Sequence, residues 1–122
     1  MMQSKTVLIV DDSEPIRIAL SDILQESGCK VIQAANGQEG LTQLNGQKVH
    51  LIISDLNMPK MDGLEFVKLA KEISLYKYTP VVMLTTESSK AFMDQGKHAG
   101  MKAWLIKPFK REMIQQVLKK II

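Results

Sequence analysis

The stretch VLIVDDSEP, Val7 to Pro15, decides how the chain is to be read. Its four leading apolar residues have the make-up of a short strand buried on both faces, and they run straight into two adjacent acids, a hydroxyl, a third acid and a proline. Proline fits the first turn of a helix, where a missing N–H is harmless, and Asp or Ser just before it fits the cap. The stretch therefore reads as strand, tight turn, helix, with two mutually repelling carboxylates placed in the turn.

The same alternation continues outward. Short, mostly apolar strand candidates lie at Val7–Val10, Val31–Ala34, Leu51–Ser54, Val81–Leu84 and Ala103–Ile106. Between them Ile16, Ala19, Leu20, Ile23 and Leu24 trace one helical stripe; Phe66, Leu69, Ala70 and Ile73 trace another; Met113, Ile114, Val117, Leu118 and Ile121 trace a third. Gly28 closes the first helix, while Asn36 with Glu39, and Asp62 with Glu65, have the spacing of capping boxes. The segment Ser88–Ala99 offers little beyond Ala91 and Phe92 to bury, so a loosely packed helix is expected there. Five strand–helix units imply right-handed crossovers and an α/β fold, an open doubly wound parallel sheet with five helices.

Length and composition fit one domain spanning 1–122 and exclude several functional classes. A net charge of +3 without a basic arm argues against nucleic acid, although Lys and Arg thicken after Lys90. The lone Cys29 cannot form an internal disulfide, nothing before Val7 resembles a secretory segment, and no apolar run approaches membrane-spanning length. A cytoplasmic protein with no membrane partner is expected.

In an open parallel sheet, functional groups gather beyond the carboxyl ends of the strands. That rule collects Asp11 and Asp12 after the first strand, Asp55 after the third, Thr85 after the fourth and Lys107 after the fifth. Three carboxylates on one edge repel and raise one another's pKa values unless a cation compensates them, and an oxygen-only donor set suits Mg²⁺. Magnesium ordinarily combines one or two carboxylates with phosphate oxygens, so phosphoryl chemistry follows. The Lys107 ammonium can meet one phosphoryl oxygen and the Thr85 hydroxyl another. Taken singly, DDSEP could be a helix cap, MDG a turn and KPF a strand exit. Caps alone, however, give no reason for a lysine after strand five and a lone aspartate after strand three.

At this point VLIVDDSE, LIISDLNMPKMDG, VVMLTTES and AWLIKPF resemble, in order, the four signature segments of response-regulator receiver domains, close to the single-domain CheY-like chemotaxis type. The resemblance implies a flavodoxin-like sheet of order 2-1-3-4-5. It implies that Asp55 accepts a phosphoryl group from a phosphohistidine on a sensor histidine kinase. Asp12 and Asp55 would ligate Mg²⁺ directly, Asp11 through water and Asn57 through its backbone carbonyl. Metal, Lys107 and Thr85 would neutralise the transition state, and the Lys107–Pro108 peptide would be cis. Glu87 and Asn57 would govern access of water to the acyl phosphate.

Two positions depart from the family pattern. Trp104 stands where a Tyr or Phe switch ring is usual, and its indole N–H needs a partner when buried; it is either the switch, together with Thr85, or a semi-exposed packing ring. Thr86 is bulkier than the small residue often found there. A haloacid-dehalogenase-type phosphatase would need an aspartate where Asn57 stands, and a flavodoxin-type flavin binder would need a hydroxyl- and glycine-rich loop where Asp11 and Asp12 stand. The resemblance thus implies a signalling switch rather than an enzyme in the usual sense. Its output partner would be a protein such as a flagellar-motor switch component; the alternative is a phosphorelay intermediate that passes its phosphoryl group to a histidine phosphotransfer protein.

Overall fold

The structure is a computed structural model that describes residues 4–122; the first three residues of the expected domain lie outside the described residues. Its elements run β1 (Thr6–Val10), α1 (Glu14–Glu26), β2 (Lys30–Ala34), α2 (Gly37–Gln43), β3 (Leu51–Ser54), α3 (Gly63–Glu72), a 3-10 turn (Ser74–Tyr76), β4 (Val81–Thr85), α4 (Lys90–His98), β5 (Ala103–Ile106) and α5 (Arg111–Ile121). The strands form one parallel sheet of order β2-β1-β3-β4-β5. This is the doubly wound, five-helix arrangement expected from the alternation.

The inner strands are apolar along nearly their whole length, with polar residues only at their ends (Thr6, Ser54, Thr85), because each face of the sheet is covered. Val7, Ile9, Leu51, Ile53, Val82 and Leu84 pack with Leu20, Leu24, Ile114 and Val117 of α1 and α5. Their alternate neighbours Leu8, Val10, Ile52 and Val81 pack with Phe66, Val67 and Ala70 of α3 on the opposite side. Burial of such side chains is worth about 1.5–3 kcal/mol each, which makes these two layers the main support of the sheet edge. The edge strands differ: β2 and β5 are only partly buried, because each has a neighbour on one side alone.

Local signals set the helix starts. Ser13, Asn36, Asp62 and Ser89 each accept a hydrogen bond from a backbone N–H three residues on, at 3.4, 2.9, 2.9 and 3.3 Å. Two expectations shift. Helix α4 begins at Lys90 rather than Ser88, since Ser89 is the cap. On α1, Ala19 is exposed and Ser21 is buried in its place, a rotation of the stripe by part of a turn. Among its residues α4 fully buries only Gly96, in keeping with its sparse apolar pattern.

Candidate functional site

Backbone bonds beyond the sheet ladders bring the strand exits together. Asp11 N–H donates to Ala34 O at 3.1 Å, Asp55 N–H to Val10 O at 2.8 Å, and Lys107 N–H to Thr85 O at 2.8 Å. These bonds register β1 with β2, β3 with β1 and β5 with β4, the β3–β4 ladder that pairs Ser54 with Met83 joins the two sets, and residues up to 96 positions apart in sequence meet.

The meeting point is acidic. Asp11, Asp12 and Asp55 each offer a carboxylate oxygen, all within 4.8 Å of one another, with Asp11 and Asp55 buried and Asp12 exposed. Lys107 Nζ bridges the buried pair, 2.7 Å from Asp11 Oδ2 and 3.1 Å from Asp55 Oδ2. The second oxygens are held by backbone donors: Asp11 Oδ1 accepts from Ser13 N–H at 2.9 Å and Asp55 Oδ1 from Leu56 N–H at 2.7 Å. Burial is the strongest influence on Asp11 and outweighs its pairing with Lys107, so its pKa lies above the ordinary carboxylate value, with the Asp55 charge acting in the same direction. For Lys107 burial works against the charge, yet the hydrogen bonds and charges of Asp11 and Asp55 prevail and its pKa is raised. One ammonium against three carboxylates leaves the cluster with an excess of negative charge. An oxygen-only donor set with that excess and one exposed carboxylate fits a hard divalent cation.

The remaining singled-out residues surround this cluster at different depths. Asn57 is exposed two residues beyond Asp55, and its carbonyl accepts no hydrogen bond among the described residues. Thr85 is fully buried as the last residue of β4 rather than following it; its Oγ1 accepts from Glu87 N–H at 3.3 Å, and no hydrogen bond joins it to Asp55 among the described residues. Glu87 holds the start of α4 through Ser89 N–H, 3.0 Å from its Oε1. The Lys107–Pro108 peptide is cis. Trp104 stands apart on the β5 side, half-buried, with its indole Nε1–H donating to Glu87 O at 2.8 Å. The ring fills a notch at Gly96, where a Cβ would lie 2.8 Å from Trp104 Cζ3.

Two contributors escaped the sequence reading. Gly63, the first residue of α3, lets the helix press against the β3 exit: its N–H donates to Leu56 O at 2.7 Å, and a Cβ there would overlap the Asp55 carbonyl oxygen. In sequence it is merely the end of a turn. Arg17 of α1 reaches back to donate through Nη1 to the Asp11 carbonyl at 2.7 Å. A polar residue on the exposed side of an amphipathic helix carries no local mark of such a contact.

Residues 7–119 match the family model described as the response regulator receiver domain. The chain is 35% identical over 116 residues to a probable chemotaxis protein CheY of Rhizobium etli, covering 94% of this chain and 90% of that one. It is 33% identical over 113 residues to Protein PilG of Pseudomonas aeruginosa, covering 93% and 84%. Its structure superposes on that of the Vibrio cholerae chemotaxis protein CheY4 with a TM-score of 0.94 at 43% identity, covering 98% of this chain and 100% of the other. The chain belongs to the response regulator receiver domain family, in its CheY-like form.

No helix among the described residues is long and apolar enough to cross a membrane.

Proposed function

We propose that this chain is a response regulator that accepts a phosphoryl group on Asp55 and signals through proteins that bind the phosphorylated form. The observation that carries this reading is Lys107 Nζ bridging Asp11 and Asp55 within a three-carboxylate cluster. In the reaction an Asp55 oxygen attacks the phosphorus of a phosphohistidine on a sensor histidine kinase, the new P–O bond forms as the P–N bond breaks, and the imidazole departs. Lys107 exchanges carboxylate contacts for a phosphoryl oxygen as negative charge moves outward, and Thr85 turns its hydroxyl from Glu87 N–H towards another. Asp12 and Asp55 would hold Mg²⁺ directly, with the Asn57 carbonyl, and Asp11 through water. The bound ion supplies charge neutralisation to the phosphoryl oxygens.

The chain is then a switch that catalyses its own phosphorylation and, with Asn57 and Glu87 flanking the acyl phosphate, its own dephosphorylation. The names of its Rhizobium etli and Vibrio cholerae relatives support chemotaxis as the process. The output surface would comprise α4, β5 and α5, where Lys90, Lys97, Lys102, Lys110, Arg111, Lys119 and Lys120 are exposed, and it suits an acidic or amphipathic segment such as one from a flagellar-motor switch protein. Thr85 and the Trp104–Glu87 bond connect this surface to the site. Incubation with a radiolabelled small phosphodonor and Mg²⁺ tests the proposal: Asp55→Asn and Asp12→Ala should both abolish labelling, and full labelling of the Asp55→Asn protein would overturn it.

A further inference from the structure

Asp12 is the exposed member of the acid cluster, and its carboxylate makes no hydrogen bond among the described residues. With no side-chain bond to direct it, its reach into the cluster depends on where its backbone is held. That backbone is held from an unexpected quarter. Arg17, half-buried on the second turn of α1, donates through Nη1 to the Asp11 carbonyl oxygen at 2.7 Å and through Nε to Gln33 Oε1 on β2 at 3.2 Å. The Asp11 carbonyl is one half of the planar unit that joins Asp11 to Asp12, so holding it fixes the orientation from which the Asp12 Cα and side chain depart. At the other end of the same residue, Asp11 N–H is tied to Ala34 O. The turn that carries both acids is thus clamped between α1 and β2, with the guanidinium as one jaw.

We infer that Arg17 is a positioning residue for the cation site, acting on Asp12 through the Asp11 carbonyl. The inference rests on the reading of the acid cluster as a Mg²⁺ site. Two effects of Arg17 oppose each other, and their sign separates them. A positive charge beside the cluster disfavours a cation, so loss of the charge alone would tighten Mg²⁺ binding; across partly hydrated space this is about a few-fold at most. Loss of a group that orients a ligand weakens binding, with about 10–100-fold typical for outer partners of metal ligands. Since the clamp acts through backbone rather than on the carboxylate itself, the low end applies.

The test is calorimetric titration of the full chain with MgCl₂. Arg17→Ala should weaken Mg²⁺ binding about tenfold, and Arg17→Lys, which keeps the charge and one donor able to reach the carbonyl, should lie closer to the native affinity than to the alanine variant. An Arg17→Ala affinity equal to or tighter than native would overturn the inference, since charge would then be the whole effect. Should Arg17→Ala fail to fold, Gln33→Ala carries the test: it frees the second anchor from an exposed position without changing charge, and binding about two- to threefold weaker is expected, no change overturning the inference. If the native chain itself binds no Mg²⁺, the underlying reading of the cluster fails first, a result distinct from native binding that Arg17→Ala leaves unaltered.

Discussion

Replacing Lys107 by Met keeps most of the unbranched side chain and removes its charged end, which leaves Asp11 and Asp55 facing each other with no compensating cation. Breaking a fully buried ion pair from one side costs about 3–5 kcal/mol. Here the side chains retain 12% exposure for Lys107, 4% for Asp11 and 10% for Asp55, so water relieves part of the penalty and about 2–3 kcal/mol is expected. For a chain of 122 residues, with an unfolding entropy of about 2.1 cal/mol/K per residue, that lowers Tm by about 8–12 °C. The assay is thermal unfolding at pH 7 in EDTA and again with MgCl₂. At ten times Kd a ligand specific to the folded state adds about 1.4 kcal/mol. The Mg²⁺-induced gain in Tm should be larger in Lys107→Met than in the native chain, because Lys107 and the ion compete for the same oxygens. The pH response should differ too. In the native chain the raised pKa of Lys107 gives a stabilisation present throughout the range below its unfolded value and lost only as pH rises through the folded one. In the variant the Asp11 carboxyl, already above its unfolded value through burial, loses the opposing hydrogen bond and charge of Lys107 and is pushed further up. The folded state then binds protons more readily, so the deficit should shrink from pH 7 to pH 5. A Tm in EDTA within about 2 °C of native, or an equal Mg²⁺ gain in both proteins, would refute the reasoning.

Gly63→Ala should destabilise the fold by about 1–3 kcal/mol, because the new methyl meets the Asp55 carbonyl and Leu56 Cα, both backbone and unable to yield, and urea unfolding reads the change. Gly96→Ala should push the Trp104 ring from its notch and break the bond to Glu87 O; with a single tryptophan in the chain, increased quenching of its emission by an added solute reports the displacement, and unaltered quenching would contradict it. His50, whose Nδ1 accepts from Thr6 N–H at 2.9 Å, has a pKa below its ordinary 6.5 because of burial and then the charges of Lys5 and Lys48. A depressed folded pKa means that protonation favours the unfolded chain, so stability should decline as pH falls below about 6.5. His50→Gln should flatten that part of the pH profile, and an identical slope in the two proteins would contradict the assignment.

The strand exits were legible in the sequence because buried parallel strands are short, apolar runs and because the chemistry of such sheets lies at one end. Asp11, Asp12, Asp55 and Lys107 could be collected by that rule before any coordinates. What escaped was long-range and backbone-directed. Tyr76 is buried with its hydroxyl donating to Gln47 O at 2.7 Å and accepting from Gly46 N–H at 2.9 Å, some thirty residues away, which anchors a 3-10 turn that no local periodicity announces. Gly63 and Arg17 act on carbonyl groups, and carbonyls are the same at every position, so residue type gives no hint of which one is held. The edge strands also looked more buried than they are, since the make-up of Val31–Ala34 and Ala103–Ile106 does not reveal which strand lies outermost.

On the function proposed above, the acid cluster serves to place a phosphoryl group on Asp55. Reductive trapping tests it directly: the chain is incubated with a small phosphodonor and Mg²⁺, treated with borohydride, which reduces an acyl phosphate to the alcohol, and mapped by mass spectrometry of its peptides. Homoserine is expected at position 55 alone, dependent on Mg²⁺ and absent when EDTA is added first. Homoserine at another aspartate, or trapping at position 55 that persists undiminished in EDTA, would contradict it.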